Sequence, residues 1–184
     1  RRFDFELLRR LTNSDEATFL QQIKELITIQ LVVEESADLF AFRHALTRAA
    51  LYADLLARER RRLHGAIAAT LEAIANERGS AALEVWAADL AHHCFEAGDW
   101  ERAAQFARRA AAYARRLYAP AAAAEQLTRA IEATRALGQA VPADLLRMRG
   151  DMHDTLGAAD AALADYRAAL KADAGFELAR EIHK

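Results

Sequence analysis

The residues with the most obvious chemical potential are the consecutive His92, His93 and Cys94, because imidazole and thiolate groups are common metal ligands. They lie in a segment that is predicted to be helical, where consecutive side chains point about 100° apart and do not converge on one ion. His92 and Glu96 supply only two ligands, whereas a structural zinc site requires four. The sequence therefore predicts no metal site.

The common phosphate-binding and nucleophile motifs are missing from the sequence. No glycine is followed by lysine, so the phosphate-binding loop GxxxxGK[ST] is absent, and neither GxGxxG nor GxSxG occurs. We therefore expect no enzymatic activity and no cofactor in this chain alone. Arginine-rich runs at 58–62 and 108–116 are able to contact phosphate, but such runs more often form a solvated helix face.

Composition places the chain among globular, water-soluble proteins. It has 184 residues, of which 53% are hydrophobic and 28% charged, and its net charge of −2 provides no general basic field for nucleic acid. The single Cys94 cannot form an internal disulfide, and no apolar run reaches the roughly 18 residues of a membrane span. We expect a cytoplasmic protein, and the missing initiator Met predicts a fragment of a longer one.

Hydrophobic spacing over residues 1–78 predicts a winged-helix-like module and a linker helix. Ser14 or Asp15 is suited to cap the second helix, and apolar runs at 31–33 and 39–42 flank a polar turn, as in a β-hairpin. The predicted helices cover residues 3–12, 15–29, 45–56 and 58–78.

Residues 79–184 are predicted to form an antiparallel helical array. Gly79 after a basic last turn ends the preceding helix. The predicted helices cover 81–97, 100–117, 120–137, 143–156, 159–172 and a segment from about 176, with a joint at Gly175. Gly98, Ala103 and Ala110 recur as Gly157, Ala162 and Ala169, with Gly150 seven residues earlier and Tyr166 between the alanines. This pattern resembles the tetratricopeptide repeat, so the predicted fold class is all-α.

Several segments together are similar to the C-terminal half of bacterial STAND-type ATPases, a family that includes LuxR-type, MalT-like transcriptional regulators. The sharpest segment is Phe42-Arg43-His44-Ala45-Leu46, and 2–5, 90–93 and 97–100 add to it. The resemblance implies an ATPase core before the winged-helix domain and a tetratricopeptide sensor array after it. It also implies that the winged helix packs on a bound nucleotide rather than on DNA.

The resemblance assigns a nucleotide role to His44, which would approach the phosphates of ADP or ATP in the full-length protein, with Arg43 as its neighbour. The alternative is that His44 caps its helix. The family often has Glu at the position of Ala49, so any polar contact made there is absent. The family also has an apolar helix before residue 2, and without it Phe3, Phe5 and Leu8 are expected to lose part of their cover.

Charge argues against direct DNA binding by this chain. The helix that would enter the groove, 15–29, carries three acidic residues and one lysine, and the wing at 34–38 is acidic as well.

We expect a regulatory fragment whose repeats bind an inducer or a protein partner. Trp86, Tyr113 and Tyr118 are the candidate contacts on the inner face, with ordinary packing between repeats as the alternative. A passive scaffold for protein interaction is the second functional hypothesis.

Overall fold

The computed structural model describes the backbone of residues 2–182 and the side chains of residues 2–174. Three strands and ten helices follow one another along this part of the chain. They are β1 (Arg2–Asp4), α1 (Phe5–Thr12), α2 (Glu16–Thr28), β2 (Val32–Ser36), β3 (Leu39–Phe42), α3 (Ala45–Asp54), α4 (Ala57–Arg78), α5 (Ser80–Val85), α6 (Ala87–Ala97), α7 (Trp100–Arg116), α8 (Pro120–Ala136), α9 (Ala143–Thr155) and α10 (Ala159–Ile182). The all-α prediction, with one small sheet, is confirmed.

The N-terminal sheet has three strands, not the two of the predicted hairpin. Its order is β1-β3-β2, all antiparallel, with Phe3 opposite Phe40. The prediction of a helix from residue 3 is wrong for residues 3 and 4, because these residues pair with β3 before α1 begins. Asp4 marks the change, since its side chain accepts a hydrogen bond from the Leu7 amide at 3.0 Å and so caps α1.

The core of the N-terminal module is small and partly aromatic. Four buried residues form it, Phe19, Ile23, Val32 and Phe40. Phe3 stacks on Phe40 with ring centroids 6.0 Å apart, and Phe5 meets Phe19 edge-on at 5.0 Å. The residues expected to lose cover are therefore half-buried within the module, and α1 also packs on α4.

The array is built from small residues that let its helices approach closely. Leu90, Leu127, Ile131 and Leu145 are almost fully buried among many alanines of α6 to α9. A Cβ atom added at Gly150 on α9 would lie 2.7 Å from the ring of Tyr166 on α10. Gly150 and Tyr166, which both belong to the repeat pattern, therefore pack closely where α9 and α10 cross.

Two helix boundaries in the array differ from the prediction. The predicted helix at 81–97 is two helices that meet at Trp86, whose ring lies under Arg78 at 5.0 Å. The predicted joint at Gly175 is wrong, because α10 continues through it; one glycine costs a helix only about 1 kcal/mol.

The linker helix α4 joins the module and the array. It packs on α1 and α6, and its Ala68 belongs to the core of the array. Within residues 2–182, no helix has both the length and the apolar character that crossing a bilayer requires.

Candidate functional site

Arg43 and His44, the two residues that the family resemblance singles out, lie between β3 and helix α3. The Arg43 amide donates a hydrogen bond to the carbonyl of Leu31 at 3.0 Å, which fixes the chain as it leaves β3. His44 then takes the N-cap position of α3 with an extended backbone. Both side chains are exposed. The structure therefore presents Arg43 and His44 together at the start of one helix.

His44 occupies the cap position without capping the helix. Its side chain makes no hydrogen bond to the first turn, and α3 has no acidic residue in that turn. The first amides of a helix lack partners within the helix and carry a partial positive charge. An anion beside His44 would therefore meet an imidazole, these amides and the nearby Arg43. This arrangement is suited to a phosphate group.

The rest of α3 is an amphipathic helix that the described part of the chain leaves largely uncovered. None of its ten residues is buried. Leu46 is 85% exposed and Leu51 47%, and Leu56 in the turn after the helix is 70% exposed. The helix contacts β3, and at its C-terminal end Tyr52 contacts His64 and the Arg60 guanidinium donates to the Leu55 carbonyl at 2.9 Å.

The uncovered helix lies in a basic segment. Residues 43–62 contain six arginines and two acidic residues. Arg43, Arg58, Arg61 and Arg62 have exposed side chains. Exposed leucines beside exposed arginines are suited to a partner surface that is apolar at its centre and acidic around it. We call this surface, residues 43–62, the α3 face.

The helix that would read DNA in a winged-helix protein presents the opposite charge. Asp15, Glu16 and Glu25 on or beside α2 are exposed, against one lysine, Lys24. Asp15 is engaged as the helix cap, accepting from the Thr18 amide at 3.0 Å. An exposed acidic surface of this kind repels a phosphate backbone.

The three aromatic residues proposed for partner binding do not share one cavity. Trp86 lines a cleft of about 390 Å³ between α1, α4 and α6. Tyr118 is 93% exposed, has a left-handed backbone with φ of 54°, and lines a separate groove of about 270 Å³ beside Met152. Tyr113 is half-buried under Arg116 at 5.5 Å. A single aromatic ligand site is therefore not formed by these residues.

The largest of these clefts lies between the N-terminal sheet and helices α6 and α8 and has a volume of about 770 Å³. Its walls are mostly polar and include Phe42, Asp89, His92, His93 and Arg129. No group of three His, Cys, Asp or Glu within the described residues could hold a metal ion.

Cys94 is fully buried, and burial raises the pKa of its thiol to about 11, which makes it a poor nucleophile.

One feature near this cleft was not predicted. His64 on α4 lies against His92 and His93 on α6. Nearly thirty residues separate His64 from the other two, so local spacing gave no signal, and only the packing of α4 on α6 brings them together.

Comparison with protein-family models, with curated proteins and with solved structures gives no match for this chain.

Proposed function

We propose that this chain is the regulatory part of a nucleotide-switched signalling ATPase or transcriptional regulator of the STAND type. In this proposal the repeat array binds an inducer or a protein partner, and the N-terminal module relays that event to a nucleotide-binding core. The observation that carries the proposal is the α3 face, where Arg43 and His44 stand exposed at the start of an uncovered apolar helix.

The proposal explains why α3 exposes leucine side chains. Contiguous exposed apolar surface is typical of sites that another protein or domain covers. The surrounding arginines favour a partner that carries phosphate or carboxylate groups. A nucleotide-binding core with ADP in its site meets both conditions, since it offers a protein surface for the leucines and phosphates for Arg43 and His44.

The proposed mechanism is a population shift between two arrangements of the α3 face and the core. In the closed form His44 hydrogen-bonds to the nucleotide, and in the open form the α3 face separates from it. A ligand of the array shifts this equilibrium only by the difference between its binding free energies for the closed and the open form. A complete reversal, from 1:99 to 99:1, requires a preference of about 5.5 kcal/mol.

The direct test is binding of labelled ADP and ATP to the intact protein that carries this chain, as wild type and as His44→Ala. A hydrogen bond to a charged group contributes about 1.5–3 kcal/mol, so the variant should bind ADP at least about tenfold more weakly. Arg109→Ala, an exposed arginine on α7, is the control and should bind as the wild type does.

Two results would contradict the proposal. Unchanged ADP affinity in His44→Ala means that this histidine does not touch the nucleotide. Failure of the wild type to bind either nucleotide removes the switch altogether and leaves the passive scaffold as the function of the array.

A further inference from the structure

Two clefts adjoin where the N-terminal module meets the array. The larger, of about 770 Å³, lies between the sheet, α6 and α8, and the smaller, of about 390 Å³, lies between α1, α4 and α6. Arg2, Asp89 and His93 line both of them. Because the clefts share these residues, one ligand can extend from the smaller into the larger. We call the smaller one the apolar cleft and the larger one the polar cleft.

The apolar cleft offers a surface for an uncharged ligand body. Its walls come from α1, α4 and the joint of α5 and α6, and include Leu7, Leu8, Leu11, Ile67, Leu71 and Trp86. All six side chains are half-buried. Small-molecule sites commonly have volumes of about 300–1,000 Å³ and mainly apolar walls with a few polar groups. The apolar cleft therefore has the size and lining for the hydrophobic part of a small molecule.

The charges at the junction of the two clefts favour a cation. Arg2 forms a salt bridge with Glu35, and Arg129 in the polar cleft does so with Glu125, so each pair is close to neutral. Asp89 lines both clefts and forms no salt bridge with a lysine or arginine in the part of the chain whose side chains are described. Its negative charge is therefore available to an ammonium group.

A buried amide in the polar cleft favours a hydrogen-bond acceptor on the ligand. Gln126 on α8 lines this cleft and is only 7% exposed. Its Oε1 accepts a hydrogen bond from the Arg129 guanidinium at 2.8 Å. Because arginine only donates, this contact leaves the NH₂ group of Gln126 as a donor, and none of the described residues accepts from it. A carbonyl or hydroxyl oxygen of a ligand would accept this hydrogen bond.

We propose that the two clefts together bind a small amphipathic amine. Its apolar body occupies the apolar cleft, its ammonium group lies beside Asp89, and a carbonyl or hydroxyl oxygen accepts from Gln126. An apolar side chain, an ammonium group and a carbonyl carried by neighbouring atoms are the chemistry of apolar amino acids and their derivatives.

The position of this site connects it to the rest of the molecule. Its walls come from both the N-terminal module and the array, so a bound ligand bridges the two. Phe42, which lines the polar cleft, directly precedes Arg43 of the α3 face. The role of the ligand as inducer of the switch rests on the function proposed above, whereas its binding to the clefts does not.

The test uses L-phenylalaninamide, which carries all three groups, at about pH 6.5, where an α-amino group is mostly charged. Three analogues each lack one group: 3-phenylpropanamide lacks the ammonium, 2-phenylethylamine the carbonyl and glycinamide the apolar body. Ligand-observed NMR on the whole chain gives each Kd. We expect a Kd of about 1 mM or tighter for phenylalaninamide and binding at least about fivefold weaker for each analogue.

Two variants assign the contacts. Asp89→Asn keeps the shape of the side chain and removes its charge, so it should weaken phenylalaninamide about tenfold and leave 3-phenylpropanamide unchanged. Gln126→Met removes the amide donor and should weaken phenylalaninamide about threefold but not 2-phenylethylamine. Asp154→Asn, at an exposed aspartate of α9 outside both clefts, is the matched control and should bind every probe as the wild type does.

Two results would overturn the amine site. One is the absence of saturable phenylalaninamide binding up to about 10 mM. The other is an affinity for phenylalaninamide in Asp89→Asn that equals that of the wild type. Both are measured on this chain without nucleotide, so they are distinguishable from a failure of the ADP-binding test of His44→Ala.

Discussion

Leu90 in the repeat array and Leu46 in α3 are both leucines within helices, but 0% of the first and 85% of the second is exposed to solvent. The same contrast holds for their surroundings. Leu127 and Leu145 in the array are likewise buried, whereas none of the ten residues of α3 is buried. The array therefore buries a set of leucines between its helices, although Leu117 and Leu170 are 60% and 70% exposed, whereas α3 buries none of its residues.

The difference indicates which part of the molecule contributes most to its stability and which part contributes little. Burying a leucine side chain contributes about 1.5–3 kcal/mol, so the array gains from each such residue and α3 gains little. Segments with few buried contacts open locally at low free-energy cost. Such a segment can bind and release a partner without disturbing the array.

The largest expected change in the free energy of unfolding comes from breaking a buried ion pair inside the array. Asp165 on α10 is 5% exposed and accepts two hydrogen bonds from the Arg149 guanidinium on α9, at 2.9 and 2.5 Å. Asp165→Ala would leave that guanidinium without its carboxylate, and we expect a loss of about 3–5 kcal/mol in the free energy of unfolding, measured by urea denaturation.

The matched control for this ion pair is on the surface. Glu84 accepts from Arg116 at 2.6 Å, but both side chains are about half exposed. Glu84→Ala should cost less than about 1 kcal/mol. Equal losses in the free energy of unfolding for the two variants would show that the buried ion pair does not stabilise the packing of α9 on α10.

The next effect tests the two leucines directly. Leu90→Ala removes a fully buried side chain and should destabilise the chain by about 2–5 kcal/mol. Leu46→Ala removes an exposed side chain and should change stability by no more than about 0.5 kcal/mol. Thermal and urea unfolding of both variants measure the difference. A large loss in Leu46→Ala would mean that α3 is covered within this chain.

Replacing two glycines within helices by alanine should change stability by smaller amounts and in opposite directions. A Cβ at Gly150 would lie 2.7 Å from the Tyr166 ring, so Gly150→Ala should cost about 1 kcal/mol or more by overpacking. A Cβ at Gly65 on α4 would meet only the Ala97 Cβ, at 3.8 Å, so Gly65→Ala should stabilise by about 0.5–1 kcal/mol through helix propensity. A gain in stability for Gly150→Ala would refute the close crossing of α9 and α10.

The smallest effect depends on pH and concerns the attachment of α1. Hydrogen bonds from Arg9 and then Arg10 hold the pKa of Glu6 at about 2, below its ordinary 4.5, and Arg10 also reaches Glu77 on α4 at 2.7 Å. A lowered pKa stabilises the fold above pH 4.5, and this contribution is lost as the pH falls towards 2. Glu6→Gln should therefore lower the urea midpoint slightly at pH 7.

The check on this prediction is the difference in urea midpoint between Glu6→Gln and the wild type at several pH values. That difference should shrink as the pH falls from 5 to 2. A difference that is constant with pH would mean that the two arginines do not act on the charged form of Glu6.

The sequence predicted those features that local spacing determines. Glycines after helices, such as Gly98 and Gly157, adopt positive φ where the helices end. Helical periodicity and turn signals each depend on a few neighbouring residues, so they can be recognised in a single sequence.

The features that were missed depend on contacts between distant segments. Residues 3 and 4 begin a segment with helical spacing but belong to a strand, because β3 offers them a free edge. The contacts of His64 with His93 and of Arg10 with Glu77 join helices that are far apart in the chain. The positions of Arg43 and His44 were predicted from resemblance, and their role remains a proposal.

The most direct test of the central proposal is amide hydrogen exchange of α3 in the intact protein that carries this chain, with and without ADP at constant pH 7.5. We predict that ADP slows exchange in α3 in the wild type but not in His44→Ala, while exchange in the array stays the same in both. Exchange in α3 that does not respond to ADP in the wild type would contradict the claim that this helix docks on a nucleotide-binding core.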